Sequence, residues 1–133
     1  MIQSDGYALP IQKQFIEILT KCIKTVNSEG FSGFVLNFRD PEYSAETGGY
    51  HPVEVAINKH GQILYITDFA YFGLPPMAEL CKEIDFDFEQ GVFQQNHGIY
   101  PIDSGRELFR IWQSNFIFYF NSDVFDVSVN TYV

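Results

Sequence analysis

The spacing of apolar residues changes period along this chain, and that change restricts the fold more than any other feature. Across residues 11–26, Ile11, Phe15, Ile18, Leu19, Cys22, Ile23 and Val26 recur at steps of three and four, with Gln14, Glu17, Lys21 and Lys24 between them. This is the pattern of an amphipathic helix. Pro10 stands at its start, where a missing N–H costs nothing, and Asn27 with Gly30 offers the stop. Beyond this point the spacing drops to two. Residues 31–39 are rich in β-formers until Asp40-Pro41 interrupts them, and residues 51–58 place Val53, Val55 and Ile57 on one face. Residues 62–72 are apolar on both faces, which suits a central strand, and Lys59-His60-Gly61 is short enough to make a hairpin of the two.

The second half repeats the alternation with one return to helical spacing. Pro75 and Pro76 open a short predicted helix over residues 74–82, carrying Met77, Leu80 and Cys81. Residues 83–89 then alternate strictly, with Ile84, Phe86 and Phe88 inward and Glu83, Asp85, Asp87 and Glu89 as one carboxylate row. Residues 91–95 are either a further short strand or an irregular return, and residues 96–101 read as loop. Ser104 and Glu107 have capping-box spacing and open a helix through Leu108, Ile111, Trp112, Phe116 and Tyr119 that stops near residues 121–123. Residues 124–129 alternate again, with Phe125, Val127 and Val129 inward. The expectation is one α+β domain over residues 1–133. Its mostly antiparallel sheet has about five strands, and an N-terminal and a C-terminal helix pack on one face.

Composition limits the function. The 17 acidic residues against 8 basic ones leave a formal charge of −9, which repels phosphate backbones and anionic membranes. Direct nucleic-acid and membrane binding are therefore not expected, whereas a basic protein partner, a cation or simple solubility is compatible. The first ten residues have no basic segment followed by an apolar one, and Cys22 and Cys81 are too few for a disulfide framework, so the cytoplasm is the expected compartment. No glycine spacing makes a phosphate cradle, and neither cysteine has a reactive setting, so no cofactor and no catalytic residue are assigned. The 14 Phe, 8 Tyr and single Trp mostly occupy core spacings; any surplus suits an apolar pocket or an aromatic patch.

Two polar clusters remain as candidate sites. The loop over residues 40–50 exceeds the usual connection length, and Asp40, Glu42, Ser44 and Glu46 alternate within it like calcium ligands, although Ala45 and His51 occupy positions where such a loop needs Gly and Glu. His51 and Glu54 have HxxE spacing, but on a strand they point to opposite faces. The row Glu83, Asp85, Asp87 and Glu89 is read as a protected edge strand, a docking surface for a basic partner, or a divalent-cation site.

Leu36-Asn37-Phe38-Arg39-Asp40-Pro41, Tyr43-Ser44-Ala45-Glu46, Gly48-Gly49 and His51-Pro52-Val53-Glu54 together resemble an uncharacterised bacterial family, domain of unknown function 2787. Ile66-Thr67-Asp68-Phe69 and Glu83-Ile84-Asp85-Phe86-Asp87-Phe88 resemble its later motifs. The resemblance implies a small bacterial cytoplasmic protein and transfers no catalytic residues. Its polar members, Arg39, Asp40, Tyr43, Glu46, His51, Glu54 and Asp68, form the leading candidate cluster. Arg39 with Asp40, Glu54 and Asp68 is expected either to lock the loop in an ion-pair network or to line a polar site with Tyr43 and His51. The function expected from the acidic strand and the loop over residues 40–51 is that of a non-enzymatic protein-interaction domain; the alternative is a cation-assisted hydrolase or small-ligand-binding protein built on Asp40, His51, Glu54 and Asp68.

Overall fold

The computed structural model describes residues 2–26 and 32–132. The helix stop expected at Asn27 and Gly30, and the strand start at Phe31, lie outside the described residues. The elements are α1 (Lys13–Ile23), β1 (Gly33–Arg39), β2 (Val53–Asn58), β3 (Ile63–Phe72), β4 (Glu79–Asp87), β5 (Val92–Gln95), β6 (Gly98–Pro101), α2 (Arg106–Asn121) and β7 (Asp126–Tyr132). All strand pairs are antiparallel, in the order β6-β5-β4-β3-β2-β1-β7. The α+β expectation with two helices on an antiparallel sheet therefore holds, but the sheet has seven strands and not about five.

The two extra strands have local causes. Residues 91–101 form the β5–β6 hairpin around Asn96 and His97, both at positive φ. β5 takes the strand alternative for residues 91–95, whereas polar turn residues that tolerate this conformation hid β6 in what reads as loop. The predicted helix over residues 74–82 is absent: residues 74–78 make a turn, and Glu79 already pairs with Phe72, so Cys81 is an exposed strand residue. Pairing to the long β3 outweighs the weak helical preference of a two-turn segment.

The sheet is a meander through six neighbouring strands, after which the chain must return from β6 at one edge to β7 at the other. A 16-residue helix is about 24 Å long, and six inter-strand steps span about 29 Å, so α2 with its preceding 3-10 turn is of the length needed to cross the sheet. Its aromatic contacts trace that crossing: Phe109 meets Phe86 of β4 at 4.9 Å and Phe116 meets Phe38 of β1 at 5.0 Å. The capping box does not form. Ser104 Oγ donates to Pro101 O within the 3-10 turn, and Gly105 is the helix cap.

One face of the sheet carries the core. Leu36, Val55, Ile66, Phe86 and Phe93 lie in one register row, with Phe15, Leu19, Phe109 and Phe116 of the helices above them. The other face shows the row Asn37, Glu54, Thr67, Asp85 and Gln94. On α2 the buried face differs from expectation: Gln113 is buried and Ile111 is 47% exposed. Gln113 earns its interior place by accepting Gln12 N–H at 2.9 Å and donating to Pro10 O at 3.4 Å, which ties the start of α1 to α2. Val127 is also exposed, because β7 is the outermost strand on its side. No helix among the described residues is long and apolar enough to cross a membrane.

Candidate functional site

Asp68 sits where the pattern calls for an apolar residue. It shares a register row with Phe38, Val53 and Ile84 on the core face and is 9% exposed. A carboxylate in such a place needs partners for both oxygens. Trp112 Nε1 of α2 donates to Oδ2 at 2.8 Å, and His51 Nδ1 lies 2.9 Å from Oδ1. Since a carboxylate only accepts, Nδ1 carries the proton in this hydrogen bond. The Asp68 hydrogen bond raises the His51 pKa above its ordinary value; partial burial opposes this, and the charges of Asp68 and Glu83 reinforce it.

Glu83 reaches the same imidazole because β4 bulges. Asp68 pairs with Ile84, and the next residue of β3, Phe69, pairs with Lys82, leaving Glu83 as the extra residue. A bulge re-aims side chains relative to strict alternation. Glu83 Oε2 thereby comes within 3.6 Å of His51 Nδ1, and Lys82 meets Asp85 Oδ2 at 3.7 Å. His51, Asp68 and Glu83 each offer one ligand atom, all within 4.8 Å of one another, the set of three among the described residues able to hold a metal ion.

The predicted carboxylate row is accordingly divided. Asp85 stays on the face away from the helices, buried, and accepts Thr67 Oγ1 at 2.7 Å. Asp87 Oδ1 accepts Gln90 N–H in the following turn, and Glu89 is exposed. The edge-strand reading is overturned, because β4 has β3 and β5 as neighbours.

The other predicted cluster converges only in part, at Tyr43, His51 and Asp68. Glu54 pairs in register with Thr67, one position from Asp68 and hence on the opposite face, where Tyr65 Oη donates to Glu54 Oε2 at 2.5 Å. Burial first, then the Glu54 carboxylate, raise the Tyr65 pKa well above that of a free phenol. Arg39 is exposed at the end of β1 and makes no ion pair among the described residues, so no Arg–carboxylate network forms. Asp40 instead closes its own loop, accepting Glu42 N–H at 2.9 Å and Tyr50 N–H at 3.0 Å. Gly49, at φ +138°, leaves the space its carboxylate uses, since a Cβ there would stand 2.8 Å from Oδ2. Those bonds and the Ser44–Thr47 bond engage Asp40 and Ser44 within the loop, while Glu42 and Glu46 are exposed. Glu46 is exposed and lines no part of the cleft described next.

Aromatic residues bind this loop to the domain. Tyr43 Oη accepts Tyr71 N–H at 3.0 Å and its ring lies 5.5 Å from that of His51, while Tyr50 packs on Tyr119 of α2 at 4.7 Å. Between loop and helix a cleft of about 310 Å³ opens, with His51 and Asp68 at its polar end and Tyr50, Trp112, Phe116, Tyr119 and Phe125 as walls. Sequence reasoning placed Trp112 in the core and overlooked its indole N–H; a largely buried indole needs an acceptor, and that requirement was the available signal.

Solved structures that share this architecture include two proteins of Vibrio cholerae. The hypothetical protein VC0508 from the VSP-II pathogenicity island of Vibrio cholerae is 36% identical with a TM-score of 0.83, over 96% of this chain and 99% of that one. The conserved hypothetical protein VC1805 from pathogenicity island VPI-2 of Vibrio cholerae O1 biovar eltor, described as sharing structural homology with the human P32 protein, is 41% identical with a TM-score of 0.81. That match covers 95% of this chain and 98% of the other. No curated protein matches the sequence. A family model matches residues 13–130, and the chain belongs to that family, DUF2787, a family of proteins of unknown function.

Proposed function

We propose that the protein is a binding protein whose site is the cleft between α2 and the β1–β2 loop, and that it takes a small, flat, largely apolar molecule with a hydrogen-bonding group. The observation that carries this reading is the composition of the cleft: five aromatic walls around a polar end held by His51 and Asp68. Ligand sites are typically apolar concavities with a few fixed polar groups. His51, held by Asp68, and Asn115 at the opening supply those groups. Calorimetric titration with indole and with 4-hydroxybenzoate is expected to give saturable heats of binding, abolished by Asn115→Trp, which fills the opening from an exposed position. Unsaturable heats with both probes, or equal binding by the variant, would sink the reading.

Docking of a basic protein is a second reading, supported by the helix-free face of the sheet. Glu54, Asp85 and Asp87 lie on that face, and the formal charge is −9. The reading requires a partner whose capture weakens with salt and with Glu54→Gln combined with Asp87→Asn. The cytoplasm is the compartment we propose, in keeping with two free cysteines, one buried and one exposed.

A further inference from the structure

We propose that His51 Nδ1, on release of the proton it shares with Asp68, joins Asp68 Oδ1 and Glu83 Oε2 as a three-ligand site for a first-row divalent metal ion. The proposal does not depend on what fills the aromatic part of the cleft.

Distances come first. With metal–ligand bonds of about 2.0–2.2 Å, adjacent ligand atoms stand about 3.0–3.5 Å apart in tetrahedral or octahedral sites. Nδ1 lies 2.9 Å from Asp68 Oδ1 and 3.6 Å from Glu83 Oε2, and each of the three residues offers a ligand atom within 4.8 Å of the other two. Glu83, with its side chain 38% exposed, is the member free to adjust.

Charge is the second, independent ground. Two carboxylates face one imidazole, which even when protonated balances only one of them. The adjacent Lys82 does not supply the difference, for it pairs with Asp85. Glu83 makes no hydrogen bond among the described residues, and its 3.6 Å approach to Nδ1 is too long for one. It is present only because β4 spends an extra residue there. An uncompensated carboxylate brought beside an Asp–His pair is a cation-binding arrangement.

The surroundings complete the case. Metal-bound carboxylates are usually oriented by outer hydrogen bonds, and Trp112 Nε1 already holds the second Asp68 oxygen at 2.8 Å. One imidazole with two carboxylates favours Zn²⁺, Mn²⁺ or Fe²⁺ over the all-oxygen sites of Ca²⁺ and Mg²⁺.

The test is titration of the full chain with Co²⁺, followed by its visible absorption, and with Mn²⁺ and Zn²⁺ by calorimetry. A pH of about 8 limits competition from ligand protonation. One equivalent of Co²⁺ should bind. His51→Ala and Glu83→Gln should each weaken it by more than the roughly 10–100-fold that losing an outer partner costs, and Trp112→Phe should fall within that range. Glu54→Gln, on the opposite face, should bind as wild type. Glu83 sits at a partly exposed bulge, so its variant keeps the test clear of folding defects, which circular dichroism verifies. Absence of stoichiometric Co²⁺ binding, or a Glu83→Gln protein with wild-type affinity, overturns the proposal. Failure of the aromatic probes to bind bears on the cleft reading alone.

Discussion

Asp68 is the residue on which the candidate site turns, because it is a carboxylate in an otherwise apolar row whose oxygens are bonded from two directions, by α2 and by the segment before β2. That arrangement sets the pH response. His51 has a folded-state pKa above its ordinary value, with the Asp68 hydrogen bond as the main cause. Protonation therefore favours the folded state: the contribution is fully present below an unfolded pKa of about 6.5 and is lost as pH rises through the raised folded value. In chelator-treated protein, the melting temperature of wild type relative to His51→Gln should fall across that window and then level off. A difference that is flat or grows with pH contradicts this. His51 and Asp68 were legible as polar residues within family-like motifs. Glu83 was assigned to the wrong cluster, since alternation predicts its side and only pairing with β3 reveals the bulge.

Helix α2 shows how an element's buried face departs from its pattern. Phe109, Gln113, Phe116 and Ile117 are buried, while Ile111 and Phe118 are 47% and 69% exposed. Hydrophobicity ranks Ile111 above Gln113, but the interior position requires a group that satisfies Gln12 N–H and Pro10 O. Gln113→Leu should therefore destabilise the fold by about 1–3 kcal/mol despite its greater hydrophobicity, because it strands the Gln12 N–H. Ile111→Lys should change stability by no more than about 0.5 kcal/mol. Urea denaturation measures both, and the reverse ranking would place the helix with its other face inward. Helices α1 and α2 and the β2–β3 hairpin were legible because their periods are sustained over many residues. The β5–β6 hairpin was not, since each strand is four residues long and its turn uses Asn and His where Gly is the usual signal.

For the molecule as a whole, the meander places β3 fourth of seven strands, with β6 and β7 at the edges. Residues deep in a sheet open only with global unfolding, whereas edges fray locally. Amide exchange should be slowest at Val55, Ile66 and Phe86 and fastest along β6 and the outer side of β7; comparable protection of β6 and β3 would contradict the strand order or show an edge covered in solution. The central placement of β3 was visible in its long apolar run, although only one of its faces lies under the helices and the other carries the half-buried Tyr65 and Phe69. The α+β class, the antiparallel hairpin and most of the aromatic core likewise followed from period and turn chemistry, which are properties of neighbouring residues. The site did not. It joins residues 51, 68, 83 and 112, each from a different part of the chain, and depends on a bulge and on the line along which α2 crosses the sheet. Such juxtapositions are set by pairing register and packing between distant segments, which no local pattern encodes.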